Sequence, residues 1–260
     1  MSGADEGGRT RGVAGRRYLV TGASSGIGLG VAERLVASGA RVAVLGRTPE
    51  KVKAAAAALG EDALPLVADV SDEPGIAAAF DEAAAWAGGL DGAVLGAGVQ
   101  LHGLDSSIDR LDLDVWDRTI AANLRGMAVT AKYAARALIA GGGGAIVVVG
   151  SPTGLIGQAR GYSSYSASKG GVHALARVMA NDLAPHGIRV NVVVPGFTET
   201  PLVDAMTSDP ATLEDFLRII PLRRPGTPAD VAAMTEFLLS DDAAYSTGGY
   251  FMVDGGMLAV

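Results

Sequence analysis

Cysteine is absent from the 260-residue chain, which excludes disulfides, thiolate nucleophiles and thiolate metal sites. Histidine is almost as scarce. His102, His173 and His186 stand far apart rather than at ligand spacing, so a bound metal would depend on carboxylates alone, and none is expected. Net positive charge is also missing: the formal charge is -7, leaving no basic field to hold a phosphate backbone, and nucleic acid is not an expected partner. No apolar run approaches about 18 residues without a glycine or a charge, so no membrane span is expected and the chain reads as cytoplasmic. Residues 1–15 mix Gly with Asp, Glu and Arg and lack the apolar stretch of a signal peptide; they are expected to form a disordered tail.

What the chain does have is 49% hydrophobic residues and 37 glycines, a composition suited to buried strands joined by tight turns. From Arg17 onward short β-branched runs alternate with longer helical stretches, the pattern of a parallel sheet with helices on both faces. Strands are expected at Tyr18 to Thr21, Val42 to Leu45, Leu64 to Ala68, Ala93 to Leu95, Ala145 to Val149, Val190 to Val194 and Tyr250 to Val253. Most are continuously apolar, as strands covered on both faces should be. Helices are expected at Gly26 to Ser38, Glu50 to Leu59, Glu73 to Trp86, Val115 to Ala140, Ser164 to Leu183 and Pro228 to Leu239. The fold class is therefore a three-layer, doubly wound α/β (Rossmann) domain spanning residues 16–260, with about seven strands. A proline-interrupted segment, 201–225, breaks the alternation and is the candidate cover for a substrate.

The first strand runs into Gly22-Ala23-Ser24-Ser25-Gly26-Ile27-Gly28 at the start of a helix. Backbone N–H groups exposed at a helix N-terminus favour an anion such as pyrophosphate, and glycine lets the backbone approach it closely. The spacing is G-x-x-x-G-x-G rather than G-x-G-x-x-G, and a plain strand-to-helix turn has the same look. A dinucleotide would also have its adenosine ribose read at the end of the second strand. An acidic residue there would grip a 2′-hydroxyl; this strand ends in Gly46-Arg47 instead, which leaves room for a 2′-phosphate beside a guanidinium. NADP(H) is therefore favoured, NAD(H) stays possible, and an Arg merely solvated at a strand end is the competing reading.

Tyr165 and Lys169 lie four residues apart, one helical turn, so phenol and ammonium can face the same side. Bringing a tyrosine pKa from near 10 to about 7 requires roughly 4 kcal/mol of differential stabilisation, within reach of a neighbouring ammonium plus a cationic cofactor in a dry site. Such pairs also occur on ordinary amphipathic helices. Ser151 follows the fifth strand at its carboxyl end, the side on which open α/β sheets bind ligands, although a Ser before Pro152 equally suits a turn. Asn123 falls inside the long expected helix, where an amide is a mild misfit and is often simply exposed. Cradle, Asn, Ser, Tyr and Lys in this order carry weight that none has singly.

With these residues the sequence resembles the short-chain dehydrogenase/reductase family, in its single-domain branch, from about Arg16 to Gly256. Thr21 to Gly28, Asn123, Ser151, Tyr165 to Lys169 and Pro195-Gly196 carry the likeness. The resemblance implies that Tyr165 exchanges the proton of a substrate hydroxyl, Lys169 lowers its pKa and bonds the nicotinamide ribose, and Ser151 positions the reacting oxygen. Asn123 would hold a water linking Lys169 to solvent. Gly22, Ser24, Ser25, Gly26, Ile27, Gly28 and Arg47 would hold the phosphates. Asp69 and Val70 would meet the adenine, and Gly96, Ala97 and Gly98 would face the cofactor. Pro195, Gly196, Phe197, Thr198 and Thr200 would cover the nicotinamide. Gln100, Ser151, Pro152, Thr153, Tyr162 and Phe197 are the expected substrate walls. Enoyl reductases of the family resemble a longer Tyr-to-Lys gap than the four residues here. One departure stands out: the family's usual Asn-Ala-Gly after the fourth strand is Gly96-Ala97-Gly98 in this chain.

The expected activity is hydride transfer between a nicotinamide and a secondary alcohol or ketone, with Tyr165 as general acid/base. Two other readings share the fold: a nucleotide-sensing protein without chemistry, and a lyase or epimerase using the nicotinamide transiently. Both would leave the cofactor pool unchanged. Apolar excess on the two longest expected helices points to an oligomer, by resemblance a homotetramer.

Overall fold

The computed structural model describes residues 12–157, 160–203 and 210–259. Seven strands form one parallel sheet: β1 (Arg17–Thr21), β2 (Arg41–Gly46), β3 (Ala63–Val67), β4 (Gly92–Leu95), β5 (Gly144–Val149), β6 (Ile188–Pro195) and β7 (Tyr250–Val253). Their order is β3-β2-β1-β4-β5-β6-β7. Connections wind outward in opposite directions from β1 and β4, and Thr21 pairs with Leu45 on one side and Leu95 on the other. A crevice therefore opens where β1 and β4 end, the position at which such sheets take ligands.

Alternation along each strand explains the two layers of helix. Leu19, Ala43, Leu45, Ala93, Ile146 and Val148 point to one face and pack against α3 (Glu73–Ala87), α5 (Gly126–Ala140) and α6 (Ser163–Leu183). Tyr18, Val20, Val42, Val44, Val94 and Val147 point to the other, against α1 (Gly26–Ala37), α2 (Pro49–Leu59) and α8 (Pro228–Leu239). Pro65, which cannot donate to a ladder, sits in β3 at the sheet's edge. All seven expected strands and five of six expected helices are present within one or two residues of their expected ends.

The helix expected from Val115 to Ala140 is divided. The chain forms α4 (Leu113–Ile120), a π-helical turn (Ala121–Arg125) and then α5. The wider turn carries Asn123 inward, where it is 2% exposed, and such π insertions in helices are often found at functional sites. The segment 201–225 contains a further helix, α7 (Pro210–Arg218), while residues 204–209 lie outside those described. Its flanks are tied together: Gly226 N–H donates to the Phe197 carbonyl at 2.8 Å and Glu199 N–H to the Gly226 carbonyl at 2.9 Å. The excursion thus begins and ends at one place. Of the expected tail, residues 1–11 lie outside those described. Val13 is packed at 2% exposure, and Gly15 N–H donates to the Gly39 carbonyl, so ordered packing reaches back before Arg16.

Candidate active site

One cavity of about 840 Å³ runs along the carboxyl ends of the strands from the β1 turn to the start of α6. Its first third is the glycine turn. Gly22 and Gly26 have φ of +72° and +55°, values L-side chains rarely adopt. A Cβ on Gly28 would stand 2.4 Å from the Gly22 carbonyl oxygen, so helix α1 meets β1 at a distance only glycine permits. Glycine at 46 clears the next stretch, since a Cβ there would come within 2.9 Å of Val52 and 3.1 Å of the Ser24 hydroxyl. Arg47 is exposed on the cavity wall, and Lys51 joins it from the first turn of α2. Asp69 accepts from the Ser71 hydroxyl at 2.6 Å and N–H at 2.8 Å; these bonds, with Arg47 nearby, hold its carboxyl below the usual range.

The turn after β4 lacks the family's asparagine, and two other side chains brace it. The Thr21 hydroxyl accepts from Gly96 N–H at 3.0 Å and Ala97 N–H at 3.2 Å. From the π turn, the Asn123 amide accepts from Val99 N–H at 2.7 Å and donates to the Val99 carbonyl at 2.8 Å and the Ser168 hydroxyl at 3.1 Å. Its amide hydrogens are thus committed to protein partners. A Cβ on Gly98 would press on Asn123 at 3.0 Å, so a small residue there lets the amide close over the loop.

At the far end stand Ser151, Tyr165 and Lys169. Ser151 leaves β5 in an extended conformation, and its hydroxyl lies 3.0 Å from that of Thr153 and accepts from Thr153 N–H at 3.3 Å. It also stands near enough to the Tyr165 phenol to favour the ionised form of that group. Lys169, 8% exposed, donates to the Val149 carbonyl at 3.0 Å, and its nitrogen is 5.7 Å from the centre of the Tyr165 ring. Burial pushes the ammonium down to about 8. Burial also raises the Tyr165 phenol above its ordinary value, against a lowering from the Ser151 hydroxyl. The expected depression of the phenol is therefore not a property of these residues by themselves, because loss of water outweighs the lowering by the Ser151 hydroxyl. In this state Tyr165 is a protonated donor, suited to delivering a proton to a carbonyl oxygen.

Every expected site residue except Asn123 borders this one cavity; Asn123 lies behind it, with Ala122 on the wall. Sequence reasoning missed several others. Asp105, from the loop after β4, accepts from Tyr165 N–H at 3.0 Å and Ser164 N–H at 3.2 Å, capping α6 from a distance of sixty residues in sequence. No local pattern could reveal it, although an acidic cap at a helix start is itself an ordinary device. His102 lies 3.1 Å from the Tyr162 hydroxyl, and His173 accepts from Ser151 N–H at 3.2 Å. Leu101, Ile156 and Met257, with Arg160 on the lining, come from loops with no shared sequence signal; they complete an apolar wall with Leu202, Val203 and Ile219, which fall in the 201–225 segment expected to cover a substrate. Lys51 could have been found, lying four residues after Arg47 in the first turn of the helix expected from Glu50.

Comparisons with known proteins agree with the fold. A family description titled Enoyl-(Acyl carrier protein) reductase matches residues 22–258. The chain is 42% identical to the cis-4-hydroxycyclohexanecarboxylate dehydrogenase of Sinomonas cyclohexanicum, covering 94% of this chain and 97% of that protein. It is 40% identical to the L-tagatose-forming galactitol 2-dehydrogenase of Cereibacter sphaeroides, over 91% and 92% of the two chains. A short-chain type dehydrogenase/reductase of known structure from Mycobacterium ulcerans superposes with a TM-score of 0.90 at 37% identity, covering 95% of this chain and 90% of its own. The chain belongs to the short-chain dehydrogenase/reductase family and is an oxidoreductase; members of that family work with NAD(H) or NADP(H). Among the described residues no helix is long and apolar enough to cross a membrane.

Proposed function

We propose that this protein is an NADP(H)-dependent dehydrogenase/reductase that interconverts a secondary alcohol and a ketone on a small organic molecule. The observation that carries this reading is the continuity of the cavity from the glycine turn to Ser151 and Tyr165. The residues present fit a dinucleotide, since glycine at 22 and 28 lets the first turn pack tightly against α1 and the turn after β4 while Gly22, Ser24, Ser25, Gly26 and Gly28 line the open cavity. Backbone N–H groups of residues 24–28 would take the pyrophosphate at the N-terminus of α1, and Lys169 the nicotinamide ribose. When bound, such a cofactor supplies or accepts a hydride at the substrate carbon. The chain's own residues do the rest. Ser151 holds the reacting oxygen, Tyr165 gives or takes its proton, and Lys169, anchored by Val149, places positive charge behind the phenol. Asn123 fixes the loop at Val99 and the Ser168 hydroxyl, and so the floor between cofactor and helix α6.

Two relatives named for acting on ring and sugar alcohols support a CH–OH substrate. The four-residue Tyr-to-Lys spacing supports it over the enoyl reduction in the family title. The apolar wall admits a compact aliphatic or cyclic body. Preference for NADP(H) rests on Gly46, which leaves no room for an acidic side chain, and on the two cations Arg47 and Lys51. Arg47→Ala is expected to lower kcat/KM with NADPH at least about tenfold and to change NADH kinetics little, consistent with removal of one charge-assisted phosphate contact. Paired kinetics with the two cofactors measure this; an unchanged NADPH/NADH ratio would remove the preference.

Leu113 on α4 and Val178 on α6 are more than half exposed, an apolar surface that suits self-association. A homotetramer is expected, and light scattering should return four chain masses rather than one.

A further inference from the structure

We propose that His173 is a positioning residue for the reaction, acting through the backbone of Ser151. This rests on the dehydrogenase reading above for its kinetic consequence, though not for its structural one. Along β5 the ladder continues as far as Gly150, whose N–H donates to the Val193 carbonyl at 2.8 Å. Ser151 is the first residue beyond it, and its N–H has no strand to pair with. The Nε2 of His173, one turn of α6 after Lys169, accepts that N–H at 3.2 Å. A side chain thus replaces the sheet at the point where the chain leaves it to present the Ser151 hydroxyl.

Three features make this a built arrangement. The imidazole is 2% exposed and lies so close over Gly150 that a Cβ there would stand 2.3 Å from Nε2, so a residue with no side chain precedes Ser151. The ring is held from its other side, with Tyr250 tilted against it at 5.1 Å between centroids and the Tyr250 hydroxyl donating to the His173 carbonyl at 3.0 Å. Finally, accepting through Nε2 requires the proton on Nδ1, and Nδ1 is buried without a partner. An orphaned N–H is unfavourable, and a leucine would fill the same space without it. What the leucine would lack is an acceptor for Ser151. The unpaired Nδ1 is the cost of supplying one.

The consequence falls on the Ser151 hydroxyl, already braced by Thr153 and set against Tyr165. Releasing its N–H frees the peptide before it to turn. Displacements of about 1 Å at a reacting group can cost 10²-fold in rate. His173→Leu is therefore expected to lower kcat by roughly 10- to 100-fold, with KM and NADPH affinity within about threefold of the parent protein. His173→Gln, whose amide oxygen can accept, is expected to recover most of the lost kcat, which filling a space in the core would not do.

The direct test is nitrogen NMR of the intact protein labelled at histidine, run alongside the kinetics of the two variants. The proposal predicts a neutral imidazole protonated at Nδ1, whose signal changes on Ser151→Gly far less than on Gly150→Ala. It predicts a kcat loss in His173→Leu that His173→Gln repairs. An Nε2-protonated ring, or equal kcat in the parent and His173→Leu, would overturn it. If no carbonyl substrate is turned over by the parent protein, the dehydrogenase reading fails while the tautomer still decides whether His173 anchors Ser151.

Discussion

Replacing Tyr165 by phenylalanine is expected to lower kcat by roughly 10²- to 10⁴-fold, the range that a positioned general acid or base contributes. Cofactor affinity should hardly change, since the ring still fills its side of the cavity while only the hydroxyl is lost. The size of the effect follows from the arrangement. The phenol is the acidic hydroxyl at the reacting end whose burial keeps its proton in place, and Lys169 stands behind it with its nitrogen 5.7 Å from the ring centre. No other proton donor described on that wall occupies the same place. Tyr162 faces His102 at 3.1 Å and is followed one turn later by Ser166 rather than a lysine. Comparative kinetics on the parent and Tyr165→Phe, with cofactor titration of both, measure the effect. A variant that binds cofactor and turns over at the parental rate would place the proton elsewhere.

Gly28→Ala is the second change with a large expected effect, and it acts on a different part of the protein. The added Cβ would lie 2.4 Å from the Gly22 carbonyl oxygen and 2.7 Å from its carbon, both backbone atoms. Neither can swing aside as a side chain would. Overpacking of this kind costs about 1–3 kcal/mol, and a backbone neighbour puts the value toward the upper end. The strain is released by moving α1 away from β1, which opens the cradle formed by the N–H groups of residues 24–28. NADPH affinity is therefore expected to fall more than tenfold, together with a lower Tm, while Tyr165, Ser151 and Lys169 keep their relative geometry. Equilibrium denaturation and a fluorescence titration read the two effects separately. Parental affinity in a folded Gly28→Ala protein would mean that the cradle does not hold the phosphates.

The parts of this molecule that were legible in the sequence are those written in local pattern. Strands covered on both faces are uninterrupted apolar runs, and the first of them ends in a glycine turn that opens a helix, so sheet and cradle could be read directly. Tyr165 and Lys169 lie within one helical turn, a spacing that fixes their shared face before any tertiary contact forms. The π turn at Ala121–Arg125 was not legible, because one wider hydrogen-bonded turn leaves no mark in composition; the helix reads as continuous from Val115. Asp105 and His173 were hidden for another reason. Each satisfies a backbone N–H distant in sequence, on Tyr165 and Ser151 respectively, and only the folded chain shows which group is left over at a helix start or a strand end. The departure at Gly96 shows the same limit from the other side. The missing asparagine is evident in the sequence, while the Thr21 hydroxyl that accepts from Gly96 and Ala97 is evident only in three dimensions.

The lowered Lys169 and raised Tyr165 also fit together as chemistry. A lysine near 8 keeps most of its charge at neutral pH, yet the phenol in front of it stays protonated. That pairing is ready to donate to a carbonyl oxygen without first gaining a proton from solvent. Further positive charge brought to the site would favour the phenolate form.

Net turnover of the cofactor tests the central claim most directly. NADPH is titrated into the protein and then followed, with analysis of the organic product, across a panel of aliphatic and cyclic ketones. The account predicts saturable binding and, with at least one ketone, one NADPH consumed for each secondary alcohol formed. Absence of binding, or binding with conversion of substrate and no net change in NADPH, would contradict it.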